Sequence, residues 1–241
     1  MFLKRTSGNV HAVFSNLSAC SGVFHAVFTR QCPPCGSGSQ KEAVFECTGA
    51  RELIFLNQMH GSRVAVINTQ EDAAREAKTQ EAADAVISRV PGIALAIRTA
   101  DCQAVMLYDP EINAAANIHS GWRGSISNIT GACIQAMKEN FGTRPENVRA
   151  AIGPSLGPCC AEFVNYKREI PENLWKYMDE KKRFDFWQIT RDQLAAAGVR
   201  QDSIETANIC TMCNTHIFYS YRAEKTKNRF MSIIGLKENR T

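Results

Sequence analysis

Residues 85–120 read AVISRVPGIALAIRTADCQAVMLYDPEINAAANIHS and carry the clearest signal of the fold class. The stretch contains short apolar runs, separated by turn-forming pairs such as Pro91-Gly92 and Asp109-Pro110. Short apolar runs bounded by glycine, proline and aspartate are typical of β-strands. The sequence therefore predicts strands at residues 85–87, 93–97, 104–108 and 114–118.

The flanking sequence adds further strands, together with helices that do not alternate strictly with them. These strands are predicted at residues 53–56, 63–68, 148–152 and 230–234. The helices are predicted at residues 71–83, 125–140, 173–178 and 190–197. The spacing of the first strands favours a meander over βαβ units. The mixture predicts an α+β protein in which sheets and helices form layers.

The composition excludes several classes of protein. Of the 241 residues, 44% are hydrophobic, which supports a sizeable core and argues against disorder. The net charge of +4 is spread along the chain, so a basic tail that binds nucleic acid is not expected. No internal repeat and no long linker divides the sequence, which predicts a single domain over residues 1–241.

The apolar runs are too short to span a membrane, and the N-terminal sequence lacks the apolar core of a signal peptide. These features predict a soluble, cytoplasmic protein without a membrane partner. The chain contains ten cysteines. In a reducing compartment we expect them to be thiols or metal ligands rather than disulfides.

Three short segments place a metal ligand or nucleophile at the end of an apolar run, beside glycine or another small residue. They are NQMHG around His60, TADCQ around Cys102 and NIHSG around His119. One thiol and two imidazoles match a zinc site with three protein ligands and an open position for water. The same side chains suit a pair in which an imidazole activates Cys102 as a nucleophile. The sequence leaves both interpretations open.

Six motifs follow one another along most of the chain. They are NQMHG (57–61), ADAVI (83–87), RTADC (98–102), HSGWRG (119–124), GPSLGPCC (153–160) and YSYR (219–222). In this order, they resemble the YfiH, or laccase-domain-containing, family of purine nucleoside phosphorylases. The resemblance extends from about residue 25 to residue 236, and the ordered set is far more specific than any single motif.

The resemblance implies phosphorolysis of adenosine, inosine, guanosine and methylthioadenosine to the free base and ribose-1-phosphate or methylthioribose-1-phosphate. It also implies adenosine deamination as a side activity. The implied fold is an α/β/β/α layered sandwich, similar to that of a deamidating bacterial toxin with a Cys–His site. The expected partners are purine nucleosides and phosphate, with no nucleic acid, and the expected assembly is a monomer or small homo-oligomer.

The resemblance assigns the catalytic centre to His60, Cys102 and His119, which are expected to bind Zn²⁺. Copper is suggested only by the family's older name of polyphenol oxidase. A copper oxidase needs clustered His-x-His pairs, whereas no two of the five histidines here are adjacent or separated by one residue. A non-enzymatic binding role in cell-wall or division processes is the other alternative, and an activity assay distinguishes it.

Substrate-binding residues are also implied by the resemblance. Arg30 corresponds to an N-terminal arginine of the family, and Arg123 follows the second histidine by four residues. Both are phosphate candidates, because a guanidinium group donates two hydrogen bonds at once to such an anion. Asp84 and Gln58 are candidates for contacts with the ribose or the purine.

The chain departs from the family pattern after Arg30, where QCPPCG replaces a turn similar to Gly-Gly-Val-Ser. Cys32 and Cys35 form one C-x-x-C pair in this segment, and Cys210 and Cys213 form another near the C-terminus. Four cysteines in two such pairs are typical of structural zinc sites. A second metal site that joins the two pairs is therefore a hypothesis.

Overall fold

The structure is a computed structural model, which describes residues 1–6, 9–32 and 38–238. Within these residues the chain forms strands in two mixed sheets. The strands are β1 (Phe2–Thr6), β2 (Asn9–Val13), β3 (Val23–Phe28), β4 (Glu52–Phe55), β5 (Val64–Ile67), β6 (Ala85–Ser88), β7 (Ile93–Thr99), β8 (Gln103–Asp109), β9 (Ala114–Ser120), β10 (Arg149–Ile152), β11 (Ile204–Thr206) and β12 (Phe230–Leu236).

Helices connect and cover the strands. They are α1 (Ser15–Ser18), α2 (Gly38–Thr48), α3 (Gln70–Thr79), α4 (Trp122–Ile126), α5 (Ile129–Phe141), α6 (Tyr166–Glu169), α7 (Phe186–Ala196) and α8 (Tyr221–Glu224). Short 3₁₀ turns lie at Pro145–Asn147, Glu172–Tyr177 and Gln201–Ser203. None of the helices in the described part of the chain is long and apolar enough to cross a bilayer.

Each sheet combines parallel and antiparallel pairs. The first sheet has the strand order β1-β2-β3-β12-β7-β4, and the second has the order β11-β10-β8-β9-β6-β5. The parallel pairs are β4 with β7, β5 with β6, and β10 with β11. The remaining pairs are antiparallel. The α+β class that the sequence predicts is confirmed.

The two sheets face each other across the largest apolar cluster, to which β7 contributes Ile97 and β8 contributes Met106. Helix α2 covers the outer face of the first sheet through Val44. Helix α5 covers the outer face of the second sheet through Met137, which belongs to the same apolar cluster as Leu107 of β8. The layers therefore follow the order helix, sheet, sheet, helix. Because successive side chains of a strand point to opposite faces and both faces are covered, the central strands are continuous apolar runs.

The prediction of a meander is wrong between β5 and β6. These strands are parallel, and α3 forms the crossover between them, as a βαβ unit requires. Helix α3 begins at a capping box formed by Thr69 and Asp72 and ends at Gln80, whose φ is 48°. The helix buries Ala73 and Glu76. It lies within a few residues of the helix predicted at 71–83, but nothing in the local sequence shows that it connects two parallel strands.

The predicted strands are confirmed to within a few residues, but two predicted helices differ. The helix expected at 125–140 is split by Asn128, which has a φ of 53° and accepts a hydrogen bond from the Gly131 N–H. The segment 173–178 is a 3₁₀ turn rather than an α-helix. Strands β1, β2, β3 and β11 and helices α1 and α2 are absent from the prediction.

We expect Gly235→Ala to lower the free energy of unfolding by about 3 kcal/mol, because overpacking forces backbone or side chains apart. A Cβ atom at Gly235 of β12 would overlap the carbonyl oxygen of Ile93 and the ring of Phe24. Urea denaturation measures the change. Ser232→Ala on the same strand is the control, since its buried hydroxyl has no hydrogen-bond partner. Equal unfolding midpoints for the two variants would contradict the prediction.

Candidate active site

Three side chains from separate loops and strands meet at one end of the sheets. His60 follows β4, Cys102 lies between β7 and β8, and His119 is on β9. Their potential ligand atoms all lie within 4.8 Å of one another. The two imidazole rings meet edge to face, with centroids 4.7 Å apart. The structure therefore brings the three predicted residues into one group.

The glycine in the NIHSG motif allows this approach. The register of β8 and β9 pairs Gln103 with Ser120, so Cys102 and Gly121 lie just beyond the paired ends of these strands. A Cβ atom at Gly121 would lie 3.1 Å from both the Cys102 sulfur and the His60 ring. Contacts between a Cβ and other atoms are rarely so short. Any side chain at Gly121 would therefore displace the two groups.

Asp84 lies beneath the group and holds two of its members. The side chain is 1% exposed. It accepts hydrogen bonds from the backbone N–H groups of Met59 (3.2 Å), His60 (2.8 Å) and Gly61 (2.7 Å), and His119 Nδ1 lies 2.7 Å from it. These bonds stabilise His60 at a φ of 61°, which is uncommon for a residue other than glycine. They also direct the other ring nitrogen of His119 away from Asp84, toward Cys102.

The group is strongly polarised. Burial raises the pKa of Cys102, but hydrogen bonds and positive charge from His119 and His60 outweigh it and lower the pKa to about 6. Burial lowers the pKa of His119, whereas Asp84 and Cys102 raise it to about 9. Burial also raises the pKa of Asp84, yet the donors around it hold that pKa below its usual value. In the absence of a metal, these opposite shifts favour a thiolate on Cys102 beside a protonated His119.

His60, Cys102 and His119 can also bind a metal ion. A thiolate and two imidazoles are the donor types that zinc prefers, and three protein ligands leave one tetrahedral position open. Asp84 supplies the carboxylate that commonly orients a metal-ligating histidine through its second nitrogen. Metal binding would displace the proton that His119 otherwise carries.

A cavity of about 350 Å³ lies on one side of the group. We call it the aromatic cavity, because four of the residues that line it are aromatic: Trp122, Phe163, Phe186 and Tyr221. Its edge carries three guanidinium groups: Arg123, Arg222 and Arg229. Such a mixture of apolar surface and few polar groups is typical of small-molecule sites.

A second cavity of about 310 Å³ also adjoins the group, and we call it the basic cavity. Its lining is mostly polar and includes three cationic side chains: Arg98, Lys227 and Arg229. Ala100, His60, Cys102 and Arg229 line both cavities. Two members of the metal-binding group, His60 and Cys102, are therefore shared by an aromatic and a cationic cavity.

The other predicted site residues occupy different surroundings. Gln58 lines the basic cavity, and its amide exchanges hydrogen bonds of 2.9 and 3.0 Å with the backbone of Arg98. Arg123 lines the aromatic cavity, with its guanidinium 4.2 Å from the centre of the Trp122 ring. Arg30 is not among the residues that line either cavity. It pairs with Glu224 at 3.0 Å and donates to the carbonyl of Thr215.

The remaining basic residues of the cavities are not among the predicted site residues. Arg98 is the first residue of the RTADC motif, and Arg222 is the last residue of the YSYR motif. Their positions within these motifs could have identified both as candidate site residues. Arg229 has no such signal. It precedes β12, whose first residue Phe230 pairs with Thr99 of β7, and this register places Arg229 beside residue 100.

Asp101 occupies a structural position beside Cys102. Its carboxylate accepts hydrogen bonds from the Thr211 hydroxyl (2.6 Å) and the Arg222 backbone N–H (2.7 Å). Its carbonyl oxygen accepts one from the Leu156 N–H (2.9 Å). Asp101 therefore joins the strand end that carries Cys102 to two loops that border the aromatic cavity.

The hypothesis that Cys32 and Cys35 share a metal site with the C-terminal cysteine pair needs correction. Cys210 and Cys213 lie instead with Cys159 and Cys160, because residue 155 pairs with residue 210 and brings the GPSLGPCC loop alongside. Cys32 is buried in the apolar cluster beneath α2. Cys35 lies outside the described residues.

In metal-free protein, alkylation of Cys102 by iodoacetamide is expected to rise with pH to a half-maximum near pH 6, the value to which His119 and His60 lower its pKa. The thiolate is the reactive form, so reactivity is present above this pKa and is lost below it. Peptide mass spectrometry reports each cysteine separately. Cys47 is the internal control, because burial raises its pKa to about 11. A midpoint for Cys102 near the ordinary value of about 8.5 would contradict the prediction.

Comparisons with known proteins find one matching family profile, similar enzymes and similar solved structures. The profile of the family described as multi-copper polyphenol oxidoreductase laccase matches residues 39–237. A purine nucleoside phosphorylase from Bacteroides thetaiotaomicron is 32% identical, over 87% of this chain and 89% of its own length. The adenosine deaminase RL5 of an unknown prokaryotic organism is 30% identical, over 71% of this chain and 70% of its own length. A Bacillus licheniformis hypothetical protein, YfiH, superposes with a TM-score of 0.79 at 26% identity, covering 89% of this chain and 93% of its own.

Proposed function

The chain belongs to the family described as multi-copper polyphenol oxidoreductase laccase, and from this membership and its site we propose that it is a purine nucleoside phosphorylase. Its substrates are adenosine, inosine, guanosine and methylthioadenosine, each cleaved with phosphate to the free base and the sugar 1-phosphate. It also deaminates adenosine, as the name of one relative suggests.

The observation that carries this proposal is that His60 and Cys102 line two unlike cavities, one aromatic and one basic, that adjoin each other. Phosphorolysis needs a purine and a phosphate on opposite sides of the ribose C1′. The aromatic cavity suits the purine, because flat rings stack favourably on aromatic side chains. The basic cavity suits the phosphate, because it concentrates positive charge in a confined space.

The phosphate is held by Arg229 and Arg98, with Lys227 at the rim of the basic cavity. Arginine provides fork-shaped donors that bind and orient the phosphate dianion, which is the nucleophile of the reaction. Gln58 orders the backbone of Arg98 from within the same cavity. Arg123 acts on the nucleoside side, and Arg30 stabilises the chain around Glu224 rather than binding substrate.

Zn²⁺ is the metal that fits His60, Cys102 and His119, because the donor set combines one soft thiolate with two imidazoles. When bound, it supplies a Lewis acid that polarises the purine or lowers the pKa of a water to about 7 for deamination. Asp84 keeps His119 in the tautomer whose second nitrogen is free to bind metal. Asp84 thereby acts as a positioning residue beneath the site.

A laccase-type oxidation is disfavoured by the same geometry. Among the described residues, His60 and His119 are the only histidines that share a potential metal-binding group. Multi-copper oxidation requires several histidine-rich sites in close proximity. The imidazole of His25 is occupied elsewhere, since its Nε2 accepts a hydrogen bond from the Phe14 N–H at 2.8 Å.

The test is an assay of zinc-loaded protein with adenosine, with and without phosphate. We expect adenine and ribose-1-phosphate to form only with phosphate, and inosine to form slowly in either case. Chromatography separates the bases, and phosphorus NMR identifies the sugar phosphate.

Cys102→Ala removes the thiolate of the group and should abolish both products. Cys20→Ser is the matched control, because its thiol donates to the Asn16 carbonyl and a hydroxyl can replace it. If the zinc-loaded protein forms no product from any of the four nucleosides, the enzymatic proposal is wrong and a binding role is favoured.

A further inference from the structure

Four cysteine thiols form a second cluster, which the proposed reaction does not use. Cys159 and Cys160 lie in the loop after β10, and Cys210 and Cys213 lie in the segment after β11. The Cys213 sulfur is 3.7 Å from that of Cys159 and 3.5 Å from that of Cys160. All four sulfur atoms lie within 4.8 Å of one another. We name this set the thiol cluster.

The spacing of the sulfurs corresponds to a tetrahedral metal site. With Zn–S bonds of about 2.3 Å, a regular tetrahedron has S···S edges of about 3.8 Å. Two of the S···S distances in the thiol cluster are 3.7 and 3.5 Å. A disulfide needs an S–S distance of about 2.05 Å and joins only two cysteines, so it would not bring four sulfurs to a common centre.

The backbone holds the two cysteine pairs together without help from the sulfurs. Ser155 and Cys210 form a parallel β-bridge. The Ser155 N–H donates to the Ile209 carbonyl (3.2 Å), and the Thr211 N–H donates to the Ser155 carbonyl (3.0 Å). The Asn214 side chain donates to the Cys210 carbonyl at 2.9 Å. The thiol cluster is therefore preorganised, which a metal site of high affinity needs.

The surroundings of Cys210 suit a metal-bound thiolate. Its sulfur accepts hydrogen bonds from the backbone N–H groups of Gly157 and Cys213. Such donors commonly support the ligands of a metal site. Arg183 approaches from outside and donates to the Cys159 carbonyl at 3.0 Å, so positive charge lies beside a centre that would carry net negative charge.

We propose that Cys159, Cys160, Cys210 and Cys213 bind a structural zinc ion, distinct from the group formed by His60, Cys102 and His119. Four thiolates complete a tetrahedron and leave no open position, as in structural rather than catalytic sites. Zinc binding replaces the thiol protons that the cysteines otherwise carry, and these protons are released to solvent.

The position of this ion gives it a role beside the aromatic cavity. The ion joins two segments of the chain. One contributes Ser155 and Leu156 to the wall of the aromatic cavity, and the other contains Thr211. Thr211 in turn donates to Asp101, which precedes Cys102. The zinc ion therefore stabilises the wall of the cavity from outside it. This inference does not depend on the proposed reaction.

Zinc content and X-ray absorption spectroscopy test the proposal. We expect two zinc ions per chain in protein purified under reducing conditions, and one in Cys160→Ser/Cys213→Ser. The decisive sample is His60→Ala/His119→Ala, which leaves the thiol cluster intact. Its remaining zinc should show four sulfur neighbours at about 2.3 Å and no nitrogen.

Two comparisons make the test specific. Cys20→Ser should retain two zinc ions, because its thiol lies outside the thiol cluster. If Cys160→Ser/Cys213→Ser does not fold, the spectrum of His60→Ala/His119→Ala still decides. The proposal is overturned if that spectrum lacks four sulfur neighbours, if the variant binds no zinc, or if mass spectrometry finds a disulfide between Cys160 and Cys213 in reduced preparations.

Discussion

Asp84→Asn is expected to reduce kcat/KM for adenosine phosphorolysis about 1,000-fold in protein that still folds. Loss of an orienting aspartate lowers kcat about 10⁴-fold in a catalytic triad, and loss of a carboxylate behind a metal-binding histidine lowers metal affinity or activity about 10–100-fold. The Asp84 carboxylate bonds His119 Nδ1 and three backbone N–H groups of the turn that carries His60. An asparagine side chain has one acceptor oxygen, and its NH₂ group would face one or more of these donors. Both imidazoles would lose their orientation.

Two measurements separate this effect from general destabilisation. The affinity for zinc should fall about 10–100-fold, as expected when a histidine ligand loses its carboxylate partner. Asp109→Asn is the control, because Asp109 is also fully buried but lies at the far end of β8. It should lower the thermal midpoint without changing activity. A folded Asp84→Asn variant with normal zinc affinity and normal kcat/KM would contradict the prediction.

The central strands could be predicted because buried strands consist mostly of apolar residues, and such runs are visible in the sequence. Strands β7, β8 and β9 are buried along almost their whole length, so each consists mostly of apolar residues between turn residues. The break at Asn128 was not predictable from apolar spacing. It depends on one side chain that caps a new helix while its own backbone adopts a positive φ.

The candidate site shows the same division between local and long-range information. The motifs around His60, Cys102 and His119 identify these residues one by one. The role of Asp84 depends on its burial and on backbone N–H donors from another loop. A sequence motif does not show either of these features. The thiol cluster depends on the bridge between residues 155 and 210, and a pairing so distant in the chain has no local signal.

Arg229→Ala is expected to lower kcat/KM for phosphate about 10²–10³-fold, because its guanidinium would bind and position the phosphate dianion, and truncating one partner of a hydrogen-bonded charge pair costs about 2–5 kcal/mol. Arg229 lines both cavities, beside His60 and Cys102, so its guanidinium can reach a phosphate next to the ribose. Backbone carbonyls of Thr226 and Asn228 already hold one of its nitrogens, which limits the entropy lost on binding. The KM for phosphate should rise more than the KM for adenosine.

The identity of the donor is tested by comparing Arg229→Lys with Arg229→Ala. Lysine restores the charge but not the planar fork, so it should recover only part of the lost phosphate affinity. Arg200→Ala is the matched control, because Arg200 is exposed and pairs with Asp202 away from both cavities. Deamination of adenosine needs no phosphate and should change less than about 10-fold, since only the contribution of Arg229 to the aromatic cavity is lost. Equal losses of phosphorolysis and deamination would instead assign Arg229 to the nucleoside, and the phosphate would then depend on Arg98 and Lys227.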